Sequence, residues 1–153
     1  MNHWLMKTEP DELGIDDFAH EPQRDFMWDG VRNYQARNFM RSMQPGDHVV
    51  LYHSSCKHIG TAGIVKVTRA AYADPEQFNP DSAYYDPKSS ATEPRWDAVD
   101  LCFVDKFPRI IPLSELKTLS ALADCALVRK GNRLSVMPLS ANEYKAILAT
   151  TNR

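Results

Sequence analysis

Apolar and polar positions alternate along this chain in short stretches, and their period switches repeatedly between two and about 3.6. Trp4-Leu5-Met6-Lys7 reads as a short strand, halted at Thr8-Glu9-Pro10 because Pro10 disfavours a helical Glu9. Ile15 and Phe18 are spaced to share one face of a helix of one or two turns. After Asn33, a good N-cap residue, Ala36, Phe39, Met40 and Met43 recur at i, i+3, i+4 and i+7, an amphipathic helix with Arg37, Asn38 and Arg41 on its other faces. Pro45-Gly46-Asp47 makes a turn into Val49-Val50-Leu51-Tyr52, a continuous apolar run expected as a strand covered on both sides. Ile64, Val65 and Val67 mark the next strand, with Gly60 and Gly63 before it suiting a bend or bulge.

Tyr72 to Arg95 reads as a long polar loop with a short helical start at Asp74-Pro75-Glu76-Gln77; its aromatics Phe78, Tyr84 and Tyr85 argue against a free linker. Trp96 to Val104 returns to a strand with Val99, Leu101 and Phe103 on one face. Pro108 to Pro112 reads as a separate short edge strand. Helical pieces are expected at Leu113–Leu116 and Leu119–Leu127, and Lys130-Gly131-Asn132 turns into a strand over Arg133–Met137. Ser140-Ala141-Asn142-Glu143 forms a capping box for a closing helix buried through Tyr144, Ile147 and Leu148. Strands with short helices and no regular βα alternation predict an α+β domain, a small curved sheet or barrel with helices outside. The 153 residues fit one domain.

The net charge of −2 conceals an asymmetry, since residues 1–30 hold eight acids against Lys7 and Arg24 and the remainder is net basic. A basic face is therefore available, without the strong basicity of a protein that coats nucleic acid. Cys56, Cys102 and Cys125 are widely spaced and odd in number, which points to reduced thiols rather than a disulfide framework. No apolar run approaches the ~20 residues of a membrane span, and Met1-Asn2-His3-Trp4 is unlike a signal peptide. The expectation is a cytoplasmic monomer that does not engage membranes.

Familiar catalytic and cofactor motifs are lacking: no phosphate-binding glycine loop, nucleophile elbow or paired-cysteine zinc pattern occurs. His53, Cys56 and His58 are close, but their spacing fits no zinc signature and a fourth ligand is missing, so neither metal nor cofactor is expected. Lys7-Thr8-Glu9 places an amine beside a hydroxyl and a carboxylate; strand alternation, however, sends Lys7 and Thr8 to opposite faces.

The segment from Trp28 to Asn38, Trp-Asp-Gly-Val-Arg-Asn-Tyr-Gln-Ala-Arg-Asn, resembles the signature of the EVE-domain family. Trp4 to Pro10, Tyr52-His53-Ser54, Tyr84 to Lys88, Pro94-Arg95-Trp96, Lys106 to Arg109 and Leu127 to Val136 resemble further family blocks in the same order. The resemblance covers nearly the whole chain. Only Ser54 to Ile59 departs from the usual wording.

This resemblance implies a PUA-like fold, related to the YTH and ASCH domains, a small mixed β-barrel flanked by helices. It also implies a non-catalytic reader that flips a modified nucleobase into an aromatic-walled pocket, a modified cytosine in DNA before RNA, and a nuclear location in a eukaryote. Trp28 matches the base-stacking aromatic, Trp96 a second aromatic, and Lys7 and Thr8 the first strand lining the site. Tyr52, His53 and Ser54 end the central strand, while Asn33, Arg37, Arg129 and Ser135 sit in signature blocks. Arg32, Arg37 and Arg129 suit phosphates, and Asn33 or Ser54 suit discrimination between bases. The competing reading is an ASCH-like amidohydrolase using Lys7, Thr8 and a carboxylate. Taken without the resemblance, Asn33 is a helix cap, Arg37 a solvated face, and both tryptophans core residues.

Overall fold

A computed structural model describes residues 1–151. Six strands build one sheet: β1 (His3–Thr8), β2 (Phe26–Trp28), β3 (His48–His53), β4 (Gly60–Ala73), β5 (Asp97–Pro112) and β6 (Val136–Leu139). The helices are α1 (Pro10–Leu13), α2 (Ile15–His20), α3 (Tyr34–Ser42), α4 (Leu113–Leu116) and α5 (Ala141–Thr150). The order is β2-β5-β4-β3-β1-β6, with β1 and β3 parallel and the other pairs antiparallel. This is the α+β mixture expected. The end strands β2 and β6 are not paired with each other, so the sheet is not a closed barrel; α3 packs against β4, β5 and β6.

The central strands are sandwiched. Trp4, Met6, Val49 and Leu51 enter one core with Ile15 and Phe18 of α2 and Ala36 and Met40 of α3. Leu5, Val50 and Tyr52 point the opposite way, into a second core with Leu116, Leu122, Leu127, Tyr144 and Ile147. Period-two alternation along two apolar strands thus separates the cores, and a slip by one residue would exchange them.

Three segments differ from the expectation. Pro108–Pro112 is no separate strand but the far part of β5, whose pairing with β4 jumps from Gly63↔Lys106 to Thr61↔Ile111. Residues 107–110 bulge out at this jump, so the missing N–H of Pro108 breaks no ladder bond. Gly63 admits the crossing, because a Cβ there would lie 2.4 Å from the Asp105 carbonyl oxygen. Leu119–Leu127 forms no continuous helix: 3-10 turns at Ser120–Leu122 and Ala126–Val128 are separated by extended backbone at Cys125. That break lets Leu122, Cys125 and Leu127 all reach the second core. The last strand lies at Val136–Leu139, beyond the expected Arg133–Met137, and leaves Arg133 and Ser135 at a cavity rim.

The long loop after β4 is closed at its neck by buried Gln77. Its amide donates to the Asp74 and Trp96 carbonyls, both at 2.7 Å, and its oxygen accepts from the Arg95 and Trp96 N–H groups at 3.1 and 3.0 Å. A buried amide using both its donors and both its lone pairs fixes a loop far better than its polar composition suggests. Among the described residues no helix is long and apolar enough to cross a membrane.

Candidate functional site

β2 pairs with β5 through Phe26↔Leu101 and Trp28↔Val99, which buries Phe26 and Trp28 and turns Met27 outward. The chain then leaves the sheet at Asp29-Gly30. Gly30 has φ +79°, and a Cβ on it would sit 2.8 Å from the Tyr84 ring. Only glycine combines that backbone with so close an aromatic neighbour. The Gly30 N–H donates to Asp74 Oδ2 at 2.9 Å, and Arg32 Nη1 donates to the same oxygen at 2.9 Å. Asp74 Oδ1 accepts from the Glu76 N–H at 2.8 Å and caps a 3-10 turn at Pro75–Phe78. Arg32 also donates from Nε and Nη2 to the Tyr84 carbonyl at 3.0 and 2.8 Å. One fully buried carboxylate thus joins the signature segment to the long loop.

A cavity of about 630 Å³ opens beside this junction, within the usual range for small-ligand sites. Its lining comes from the end of β1 with α1 (Lys7, Thr8, Glu9, Glu12, Leu13), from residues 26–32, from Ser54 and Tyr84, and from Arg133 and Ser135. Backbone bonds hold the rim: the Lys7 N–H donates to the Ser135 carbonyl and the Ser54 N–H to the Thr8 carbonyl, each at 2.8 Å. Glu9, Glu12 and Asp29 make part of the wall acidic, while Lys7, Arg24 and Arg133 oppose them.

Asp29 is distinctive. It is half-buried in the lining; among the described residues its side chain bonds no other residue, and its own backbone N–H donates to it. The nearby guanidinium of Arg32 is already held by Asp74 and Tyr84. Burial pushes the Asp29 carboxyl up, and the negative Asp74 adds to the effect. Burial likewise pushes the Lys7 ammonium down; its nitrogen lies 5.7 Å from the Tyr52 ring centroid.

Of the residues singled out in the sequence, Lys7, Thr8, Trp28, Arg32, Ser54 and Ser135 line this cavity. Lys7 and Thr8 share it although strand alternation opposes them, because β1 ends at Thr8 and the chain turns into α1. Trp28 retains only 6% of its surface exposure, little for a base to stack on. Arg32 is committed to the loop junction. The other candidates lie outside the cavity lining. Asn33 caps α3, its side chain accepting from the Ala36 N–H at 2.9 Å. Arg37 donates to the Arg95 carbonyl at 2.9 Å and stands over the Tyr34 ring. Trp96 stacks on Tyr34 and donates from Nε1 to Asp86 at 2.7 Å.

His53 is buried and its Nε2 accepts from the Ile15 N–H at 3.1 Å; burial holds its pKa down, consistent with a neutral ring. Among the described residues no group of three His, Cys, Asp or Glu side chains is placed to hold a metal. Tyr52 and Arg129 line a different cleft. Sequence reasoning misses Asp29, Asp74 and Tyr84 as site residues. Asp29 and Tyr84 lie in segments that resemble family blocks without being singled out within them, and Asp74 is marked only as the start of a short helical turn.

The family model described as "EVE domain" matches residues 2–150. Thymocyte nuclear protein 1 from Danio rerio is 42% identical over 99% of this chain and 72% of its own length. A crystal structure of a Pseudomonas syringae protein superposes with a TM-score of 0.94 at 49% identity, covering 97% of this chain and 99% of that one. Human THYN1, crystallised in complex with 5-methylcytosine-containing DNA, superposes with a TM-score of 0.93 at 39% identity over 100% of this chain and 99% of that one. With the family model spanning almost every residue and the signature segment walling the cavity, the chain belongs to the EVE-domain family.

Proposed function

We propose that this domain binds DNA carrying a modified cytosine and takes the base, flipped out of the duplex, into the cavity beside Asp29. The observation that carries the reading is the half-buried Asp29 carboxyl in the cavity wall, bonded to no other described residue and holding its proton to higher pH than a free aspartate. Cytosine presents an N4 amino donor next to the N3 acceptor. A carboxyl group accepts from the first and, when protonated, donates to the second; Asp paired with the cytosine amine is a known match of edges. Thymine and guanine carry a ring N–H where cytosine has the N3 acceptor, so neither takes the carboxyl proton at that position. Adenine offers the same pair on a larger ring, and the DNA held by the human relative favours cytosine. The other charged groups acting on Asp29 are Asp74, Glu76 and Arg32.

Flipping costs roughly a few kcal/mol, and stacking on an aromatic ring returns about 1–3 kcal/mol per base. Tyr84 supplies that surface in this reading, since Trp28 is nearly covered. Trp28 and Phe26 form the floor, and Lys7, Thr8, Ser54 and Ser135 bound the rim. A PUA-like curvature of the sheet, with α3 packed against β4, β5 and β6, gives the cavity a stable wall. The domain acts as a single copy.

Fluorescence anisotropy with duplexes bearing 5-methylcytosine, cytosine or N6-methyladenine tests this, with RNA versions as a parallel arm. Expected are tightest binding to 5-methylcytosine, affinity falling as pH rises, and loss of the preference for cytosine-type bases over N6-methyladenine in Asp29→Ala. Asp29→Asn keeps the acceptor and donor and should keep the preference while losing the pH dependence. Equal affinity for modified and unmodified duplexes overturns the proposal. Lys7, Thr8, Glu9 and Glu12 share the cavity, so mass spectrometry of incubated modified nucleosides is a second readout. A mass change with turnover would favour the amidohydrolase.

A further inference from the structure

The loop from Arg129 to Ser135 divides two depressions. Arg133 and Ser135 face the base cavity, whereas Arg129, Lys130, Gly131 and Asn132 line a second cleft of about 510 Å³. Lys7 lines both, so the two are contiguous at the end of β1. The second cleft is cationic. Lys7, Lys117, Arg129 and Lys130 line it with no carboxylate among them, and none of the four forms an ion pair among the described residues.

The dividing loop is fixed from both sides. Asn132 accepts from the Leu134 N–H at 3.1 Å and donates to the Ala126 carbonyl, while the Ser135 carbonyl accepts from the Lys7 N–H. Its turn is open outward. Gly131 has φ +75°, and the space where a Cβ would stand is clear of other atoms for 4 Å. Among the described residues the Lys130 and Gly131 N–H groups find no backbone or side-chain acceptor. Four cations held together without a counter-charge repel one another. Apolar walls from Leu127 and Val128 weaken the screening, and a concave surface concentrates the field. A polyanion with regularly spaced charges relieves that repulsion.

We infer that this cleft binds the phosphodiester backbone of the strand whose nucleotide enters the base cavity, with the 129–135 loop under the intervening sugar. The inference rests on the base-binding reading above. Its phosphate contacts are independent of sequence and modification, and they set affinity through counterion release.

The test compares the parent with Lys117→Gln/Lys130→Gln, both exposed positions, by anisotropy titrations on duplexes with and without 5-methylcytosine at four salt concentrations. Lys66→Gln/Lys145→Gln removes the same charge from exposed positions lining neither depression. For a B-form duplex each lost phosphate contact lowers the slope of log affinity against log salt by about 0.9. The cleft variant should therefore lose about 1–2 in slope, weaken on every duplex by a common factor, and keep the modification preference; the control should hold the parent's slope. An unchanged slope in the cleft variant, or an equal fall in both variants, overturns the inference. If the parent shows no modification preference but the slope falls only in the cleft variant, the base reading fails and the cleft assignment stands. A parent that binds no nucleic acid overturns both.

Discussion

Replacing Asp74 with asparagine tests the junction that sets the cavity wall. The carboxylate side chain is fully buried and receives three donors: Gly30 N–H and Arg32 Nη1 on Oδ2, and Glu76 N–H on Oδ1. An asparagine keeps only one oxygen. If that oxygen stays toward Gly30 and Arg32, the new amino group meets the Glu76 N–H; if it turns, the amino group meets two donors at once. The better arrangement therefore leaves one donor opposed, costing about 1–3 kcal/mol. It also removes the counter-charge of Arg32, a loss that reaches ~3–5 kcal/mol for a wholly buried pair.

Arg32 is 21% exposed and keeps its two bonds to the Tyr84 carbonyl, so water and that oxygen recover part of the second cost. A net loss of about 3 kcal/mol follows, which for a domain of this size lowers the melting temperature by roughly 6–12 °C. Thermal and urea melts of parent, Asp74→Asn, Arg32→Gln and the double variant measure the loss and the coupling energy. A fall below about 1 kcal/mol, or additive single effects, would refute the argument that this pair carries the junction.

Three further outcomes follow from the site. Asp29→Asn should raise stability at neutral pH and leave it unchanged in acid. The folded carboxyl keeps its proton to higher pH than the unfolded one, so folding is penalised progressively as pH rises above the ordinary value of 3.8 toward the folded value, and the cost persists beyond it. Melts of both proteins across pH 3–8 should converge only at the acid end; parallel curves would count against it. Gly30→Ala should cost about 1–2 kcal/mol for the left-handed backbone alone and more for moving the Tyr84 ring, with weaker DNA binding. A melt within error of the parent would contradict the close approach. Asn33→Ala should lose about 1 kcal/mol as a lost N-cap while the ratio of affinities for modified and unmodified duplexes stays fixed. A changed ratio would make Asn33 a base-reading group.

The features legible in the sequence are those with local causes. The Asn33 cap, the buried Ala36 and Met40 face of α3, the Ser140–Glu143 capping box and the doubly covered β3 all follow from spacing within a few residues. The family segment likewise points to the cavity's neighbourhood. Individual roles are harder to assign. Trp28 carries the stacking expectation, yet its ring is nearly consumed by the core, and Arg32 is spent on Asp74 and Tyr84.

The sequence by itself determined an α+β chain with apolar strands, short capped helices and one polar signature segment, because period, caps and turns act within a few residues. The tertiary structure decided which groups meet. Asp74 and Tyr84 lie more than forty residues from Gly30, yet the fold closes the first on its amide and the second on its Cα. The same long-range packing half-buries Asp29, commits the nearby Arg32 to Asp74 and Tyr84, and sets the 129–135 loop between cavity and cleft. Burial and partner choice depend on contacts distant along the chain, and the local pattern carries no record of them.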